Sequence, residues 1–101
     1  MRGITITYTY DGDEAAWRDT VTTFINAIEK DDRLAGRLLY QVAVADDGKT
    51  RFHWGRWDSA ETLAHLQAQD FFKTFAGKVQ AFAENPPAAT GHDTFLKTAG
   101  W

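Results

Sequence analysis

Three observations on the 101-residue chain predict an α+β fold with the element order βαββαβ. Segments of strict two-residue alternation recur near residues 4–10, 38–45 and 50–57. Segments of helical period fall between them at 14–31 and 58–82, and the connections are short turns rich in Asp, Gly and Pro. Alternation of period two marks a half-buried strand and a period near 3.6 marks an amphipathic helix. Short connections and right-handed crossovers turn this order into a ferredoxin-like split βαβ, a four-stranded antiparallel sheet with helices on one face. A single domain over residues 1–101 is expected, with no repeat, linker or low-complexity tract.

Each element has its own signal. Ile4, Ile6, Tyr8 and Tyr10 alternate with Thr5, Thr7 and Thr9, all good strand formers, so 4–10 is the first strand. Asp13 is a candidate N-cap, and Trp17, Val21, Phe24, Ile25 and Ile28 make one apolar stripe of a helix ending near Asp31 or Asp32. Leu38, Tyr40, Val42 and Val44 alternate through a second strand, and Asp46–Lys49 contains the Asp-Gly pair of a hairpin leading to its partner, 50–57. The spacing of Asp58 and Glu61 suits a capping box for a helix reaching about Ala68, with Ser59 in a capping rather than a nucleophilic setting. A further helix begins at Asp70 and carries Phe72, Phe75, Ala76, Val79 and Phe82 at helical spacing. The stretch 84–91, with its two prolines, ends it, and 92–99 reads as the last strand.

Composition bounds the function. A domain of this size buries about 60–70% of the surface its unfolded chain exposes. Four Trp, three Tyr and seven Phe exceed what such a core hides, so some rings are expected in a cavity or a subunit interface. The net charge of -3 gives no basic patch for nucleic acid or an anionic membrane. With no cysteine, disulfides and thiolate chemistry are excluded, and without an apolar leader after Met1 a cytoplasmic protein is expected. No nucleotide-binding glycine loop, nucleophile elbow or H-E-x-x-H pair occurs, and His53, His65 and His92 are scattered rather than spaced as metal ligands. No metal and no cofactor is called for.

The third strand carries the candidate site. His53, Gly55 and Trp57 share one face and Phe52, Trp54 and Arg56 the other, and alternation alone does not say which face meets the helices. His53 and Trp57 lie about 13 Å apart along the strand, with Gly55 leaving a ring-sized gap between them. In a functional reading a flat aromatic ligand fills that gap, Trp57 stacks on it or bonds it, and His53, with a pKa near neutrality, exchanges a proton. In a structural reading Trp57 is core, Gly55 marks a bulge or close approach, and His53 is a buried polar residue with a partner. Tyr40 and Gln41, and Tyr8 and Tyr10, add candidate contacts. His65 stands four residues after Glu61, the spacing of a solvent-side pair.

The run Trp57-Asp58-Ser59, Glu61, Leu63, His65-Leu66 and Phe72-Lys73 with Phe75 resembles the antibiotic-biosynthesis-monooxygenase family of dimeric α+β barrels. The resemblance implies a homodimer with sheet packed against sheet, which would cover Phe52 and Trp54. It also implies an oxidoreductase: one branch oxidises phenols or anthrones of polyketide type to quinones with O₂, without metal or flavin, using electrons from the substrate's own anion. Carried over residue by residue, that branch's Trp is kept as Trp57, its Asn falls on His53, its Tyr on Leu63, and its Arg near Gly77 or Lys78. From the strand reading and the resemblance together, His53 and Trp57 are the candidate catalytic residues, and Tyr40, Gly55, Leu63 and His65 the candidate substrate-binding ones. The haem-degrading branch needs a Trp and a His where this chain has Leu66 and Ala76, and an Asn on the first strand, which has none. Two other readings share the element order: a non-catalytic ligand-binding or stress-response barrel, and an RNA-recognition module with the aromatics Tyr8, Tyr10, Phe52 and Trp54 on strands one and three.

Overall fold

A computed structural model describes residues 1–99. The elements are β1 (Arg2–Thr9), α1 (Glu14–Lys30), β2 (Leu38–Val44), β3 (Thr50–Trp57), α2 (Ala60–Ala68), α3 (Asp70–Phe82) and β4 (Ala88–Asp93). The sheet order is β2-β3-β1-β4 with every neighbouring pair antiparallel. β1 and β2 are therefore parallel with β3 inserted between them, which is the split βαβ that the periodicities predict.

Local chemistry sets the boundaries. Asp13 caps α1 by accepting from the Ala15 N–H at 3.0 Å, with Glu14 in the first turn and Lys30 in the last, each on the favourable end of the helix dipole. Trp17, Val21, Phe24 and Ile28 are buried on its inner stripe, each such side chain stabilising by about 1.5–3 kcal/mol. Between β2 and β3, Gly48 supplies the positive φ of 75° that the turn requires. The Asp47 carboxylate accepts from the N–H groups of Lys49 and Thr50 and from the Thr50 hydroxyl, which pulls its pKa down to about 2.

Two boundaries differ from the sequence reading. The N-cap of α2 is Ser59, whose Oγ accepts from the Thr62 N–H, while the Asp58 carboxylate takes the Thr62 hydroxyl instead of closing a box with Glu61. The last strand is 88–93 rather than 92–99. It begins directly after Pro86-Pro87 and pairs Ala88 with Thr7 through Asp93 with Arg2. As an edge strand of small, exposed residues it carries no apolar alternation, and 94–98 lie outside the sheet.

Burial settles which face of β3 meets the helices. Arg51, His53 and Gly55 are buried on the helix side, whereas Phe52 and Trp54 are 40% and 41% exposed on the open face. Between sheet and helices, the Phe24 and Phe75 rings stack at 3.9 Å and 2° and form the centre of an aromatic core with Tyr8, Leu38 and Val79. Tyr8 and Tyr10 are buried in that core, so the strand aromatics do not form one exposed face, and the RNA-recognition reading fails.

Candidate active site

The register of the sheet builds the site around His53. Directly opposite it stand Ile6 on β1 and Val42 on β2. The two tyrosines are its diagonal neighbours, Tyr8 two residues along β1 and Tyr40 two residues along β2, within reach of long aromatic side chains. The Tyr8 hydroxyl lies 2.7 Å from His53 Nε2 and the Tyr40 hydroxyl 2.7 Å from Nδ1, so both ring nitrogens are engaged. Behind Tyr8, the Trp17 indole N–H donates to the Tyr8 oxygen at 2.9 Å.

Counting donors assigns the direction of this chain. A neutral imidazole offers one donor and one acceptor. Tyr8 is solvent-inaccessible and already accepts from Trp17, so its own proton has one destination, His53 Nε2. The remaining proton then sits on Nδ1 and is donated to the Tyr40 oxygen, leaving the Tyr40 O–H free to donate elsewhere. Every donor from Trp17 through Tyr8, His53 and Tyr40 thus points the same way, and a chain so aligned strengthens its terminal donor.

Burial controls the titration of the chain. It holds His53 down at a pKa of about 4, a correction to the near-neutral value expected from sequence. It raises the Tyr40 hydroxyl well above the ordinary phenol value, with Tyr8 adding to the effect. Tyr8 is also raised by burial, partly offset by the Trp17 hydrogen bond and the Arg51 charge. At neutral pH the imidazole is uncharged and both phenols are protonated. His53 is therefore a relay between two hydroxyls, not an open base.

Arg51 braces the far end. Its side chain is 1% exposed, its guanidinium carbon lies 4.4 Å from the Trp17 ring centroid, and it holds the Glu14 carboxylate at 3.0 and 2.9 Å. That pairing lowers the Glu14 pKa, chiefly through the Arg51 hydrogen bond, and raises that of Arg51. A cation stacked on an indole and tied to a carboxylate fixes the Trp17 ring that starts the chain.

The chain ends in a cavity of about 340 Å³ between the sheet and α2 and α3. Of the residues singled out from sequence, His53, Trp57, Tyr40, Gly55 and Leu63 all line it. Leu66 and Ala76 do so as well, at the positions where the haem branch has Trp and His. The remaining walls are mostly apolar, among them Ile4, Phe72, Phe75 and Val79. The space over Gly55 is not empty: a Cβ there would lie 3.1 and 3.3 Å from two carbons of the Tyr40 ring. Gly55 admits that ring across the strands, and the room for a ligand lies beyond it.

His65 lies outside this cavity. Its Nε2 is 2.8 Å from the Asp31 carboxylate rather than paired with Glu61, and Asp31 is the C-cap of α1. The pair ties α1 to α2. Gln41 is exposed and, one residue along β2 from Tyr40, points to the opposite face of the sheet. The site residues that the sequence reading did not assign are Trp17, Gln67 and Gln80, and Tyr8 had been only one of several candidates. The signal for Tyr8 lay in the register, which places it diagonal to His53.

Fold and site together define a ferredoxin-like sheet that holds an apolar, uncharged cavity ending in a tyrosine-histidine-tyrosine chain. Among solved structures, Rv0793 from Mycobacterium tuberculosis superposes with a TM-score of 0.78 at 15% identity, over 97% of this chain and 98% of that one. A variant of SnoaB, a cofactor-independent oxygenase from Streptomyces nogalater, gives 0.75 at 13% identity over 99% and 97%. A structure of an antibiotic biosynthesis monooxygenase gives 0.66 at 14% identity, over 95% of this chain and 100% of that one. The likeness read from the Trp57–Phe75 stretch thus holds for the fold over nearly the whole chain. No family model and no curated protein sequence matches it. Among the described residues no cluster of three or more His, Asp or Glu is placed to hold a metal, and no helix is long and apolar enough to cross a membrane.

Proposed function

We propose that the chain is one domain that binds a small aromatic, polyketide-like molecule in this cavity and oxidises it with O₂ without a cofactor. The observation that carries the reading is the one-directional donor chain ending on Tyr40 in a largely apolar cavity. Such a terminus suits an oxygen on which negative charge develops. A ring methylene conjugated to a carbonyl loses a proton to water, and the resulting enolate oxygen accepts from the Tyr40 O–H. The enolate carbon then gives an electron pair to O₂, forming a C–O bond. A proton returns to the distal oxygen, and loss of water from the hydroperoxide leaves a new carbonyl. The sum is R₂CH₂ + O₂ → R₂C=O + H₂O.

In this mechanism Trp57 lines the cavity as an aromatic wall, and His53 acts through Tyr40 instead of taking the proton itself. The test is oxygen uptake with a panel of anthrones, which carry that ring methylene. Uptake should match quinone formed mole for mole, and Tyr40→Phe, which keeps the ring and deletes the donor, should lower kcat by about 10²–10³-fold. Uptake no faster than without protein across the panel, or full activity in Tyr40→Phe, would refute it. The low basicity of His53 is the one observation that favours a second reading, a non-catalytic ligand-binding barrel. That protein would bind the same molecules and consume no oxygen.

The assembly proposed is a cytoplasmic homodimer with the open sheet faces together, supported by the exposure of Phe52 and Trp54 on that face. Light scattering should give twice the chain mass of 11.4 kDa, reduced to the monomer by Phe52→Lys.

A further inference from the structure

We infer that the ligand of this cavity is uncharged and oxygenated at both ends, with one oxygen bound by Tyr40 and another by Gln67 and Gln80. This rests on the reading of the cavity as a substrate site and adds the class of molecule it takes. The first ground is that no Asp, Glu, Lys or Arg is among the lining residues. The nearby charges are committed elsewhere: Arg51 to Glu14 behind Trp17, and Asp31 to His65 on the outer side of α2. Lys78 lines a separate groove between α1 and α3 with Thr20 and Thr74. An ionised carboxylate or phosphate inside the cavity would meet apolar walls and a few neutral polar groups, with no counter-ion among the described residues, and an unpaired buried charge is strongly disfavoured.

The second ground is the distribution of the polar groups that do line it. Tyr40 and His53 lie at the sheet, where His53 is 1% exposed. Gln67 on α2 and Gln80 on α3 are exposed residues on the helices across from it, and neither side chain makes a hydrogen bond among the described residues. Between the two poles are apolar walls, including Phe75, Ala76 and Val79. A flat ring system fits that middle, an acceptor oxygen fits Tyr40, and a neutral hydroxyl, ether, ester or amide fits the two exposed amides.

One consequence concerns reaction order. Where a precursor carries a carboxylate beside the reacting oxygen, a decarboxylation or an esterification must precede this step.

The experiment is a fluorescence titration of the purified full chain with 1-naphthol, 1-hydroxy-2-naphthoate, and the 1,5- and 2,6-dihydroxynaphthalenes. The naphthoate should bind at least about 100-fold more weakly than 1-naphthol, the scale of leaving a buried charge unpaired. One of the diols should bind about fivefold more tightly than 1-naphthol, as for one added neutral hydrogen bond, and lose that gain in Gln67→Leu/Gln80→Leu. Because both glutamines are exposed, the double variant keeps the fold, which an unchanged circular dichroism spectrum and urea midpoint verify. Equal binding of the naphthoate, or a diol gain that is absent or survives the double variant, overturns the inference while leaving the cavity a binding site. Failure of all four compounds to bind sinks the functional reading and the inference with it.

Discussion

The buried imidazole makes the fold acid-sensitive in a window where carboxylates do not yet titrate. In the unfolded chain His53 takes a proton near pH 6.5, whereas burial holds it down to about 4 in the folded one. Above pH 6.5 neither state is protonated and the full stability is present. Below it the unfolded state binds a proton that the folded state refuses, so stability falls as pH drops and levels off only below the folded pKa. The whole gap is worth about 3 kcal/mol, of which about 1.4 kcal/mol is lost by pH 5.5. The carboxylates of Asp31, Asp47, Asp58 and Glu14 are also held below their ordinary values, and their contribution disappears at lower pH, beginning near pH 5. Urea unfolding of the wild type and His53→Gln, at one protein concentration and at pH 7.5, 6.5 and 5.5, separates the two. The wild type should lose about 1.4 kcal/mol over that range, and the variant less than half as much. Parallel losses in the two proteins, or a wild type that gains stability toward pH 5.5, would show that His53 is not held neutral by its surroundings.

Three further substitutions probe the network and its edges. Tyr8→Phe strips partners from both the Trp17 N–H and His53 Nε2 in the core, and should cost about 2–4 kcal/mol in urea unfolding, against about 1 kcal/mol for Tyr40→Phe on the cavity side. Gly55→Val drives a branched side chain into the Tyr40 ring and should cost about 1–3 kcal/mol, with a shifted near-ultraviolet circular dichroism spectrum reporting the displaced tyrosine. His65→Ala removes the tie to Asp31 and a longer contact to Gln69 and should cost about 1 kcal/mol, with unchanged affinity for 1-naphthol; a tenfold loss of affinity would place His65 in the site after all.

The sequence revealed the frame because the frame is written in period. Residues on β1, β2, β3 and the inner stripe of α1 each have one wet and one dry side, and alternation records that directly. β4 was misplaced for the same physical reason: Ala88, Ala89, Thr90 and Gly91 are exposed and small, so a strand that exists through its pairing with β1 leaves no hydrophobic trace. Gly55 and Trp57 share a face by strand alternation and Leu63 was named through the family resemblance, and all three line the one cavity. What remained hidden depends on register between strands distant in sequence. His53 and Tyr40 are 13 residues apart and His53 and Tyr8 are 45 apart, and nothing in either local pattern says that the two hydroxyls bracket one imidazole. That bracketing changes the chemistry. An isolated His53 beside a ring-sized gap reads as a base, and the gap over Gly55 reads as a ligand's place. With Tyr40 lying across Gly55 and both nitrogens bonded, the same histidine becomes the middle of a donor chain, and the hydroxyl of Tyr40 becomes its end at the cavity wall.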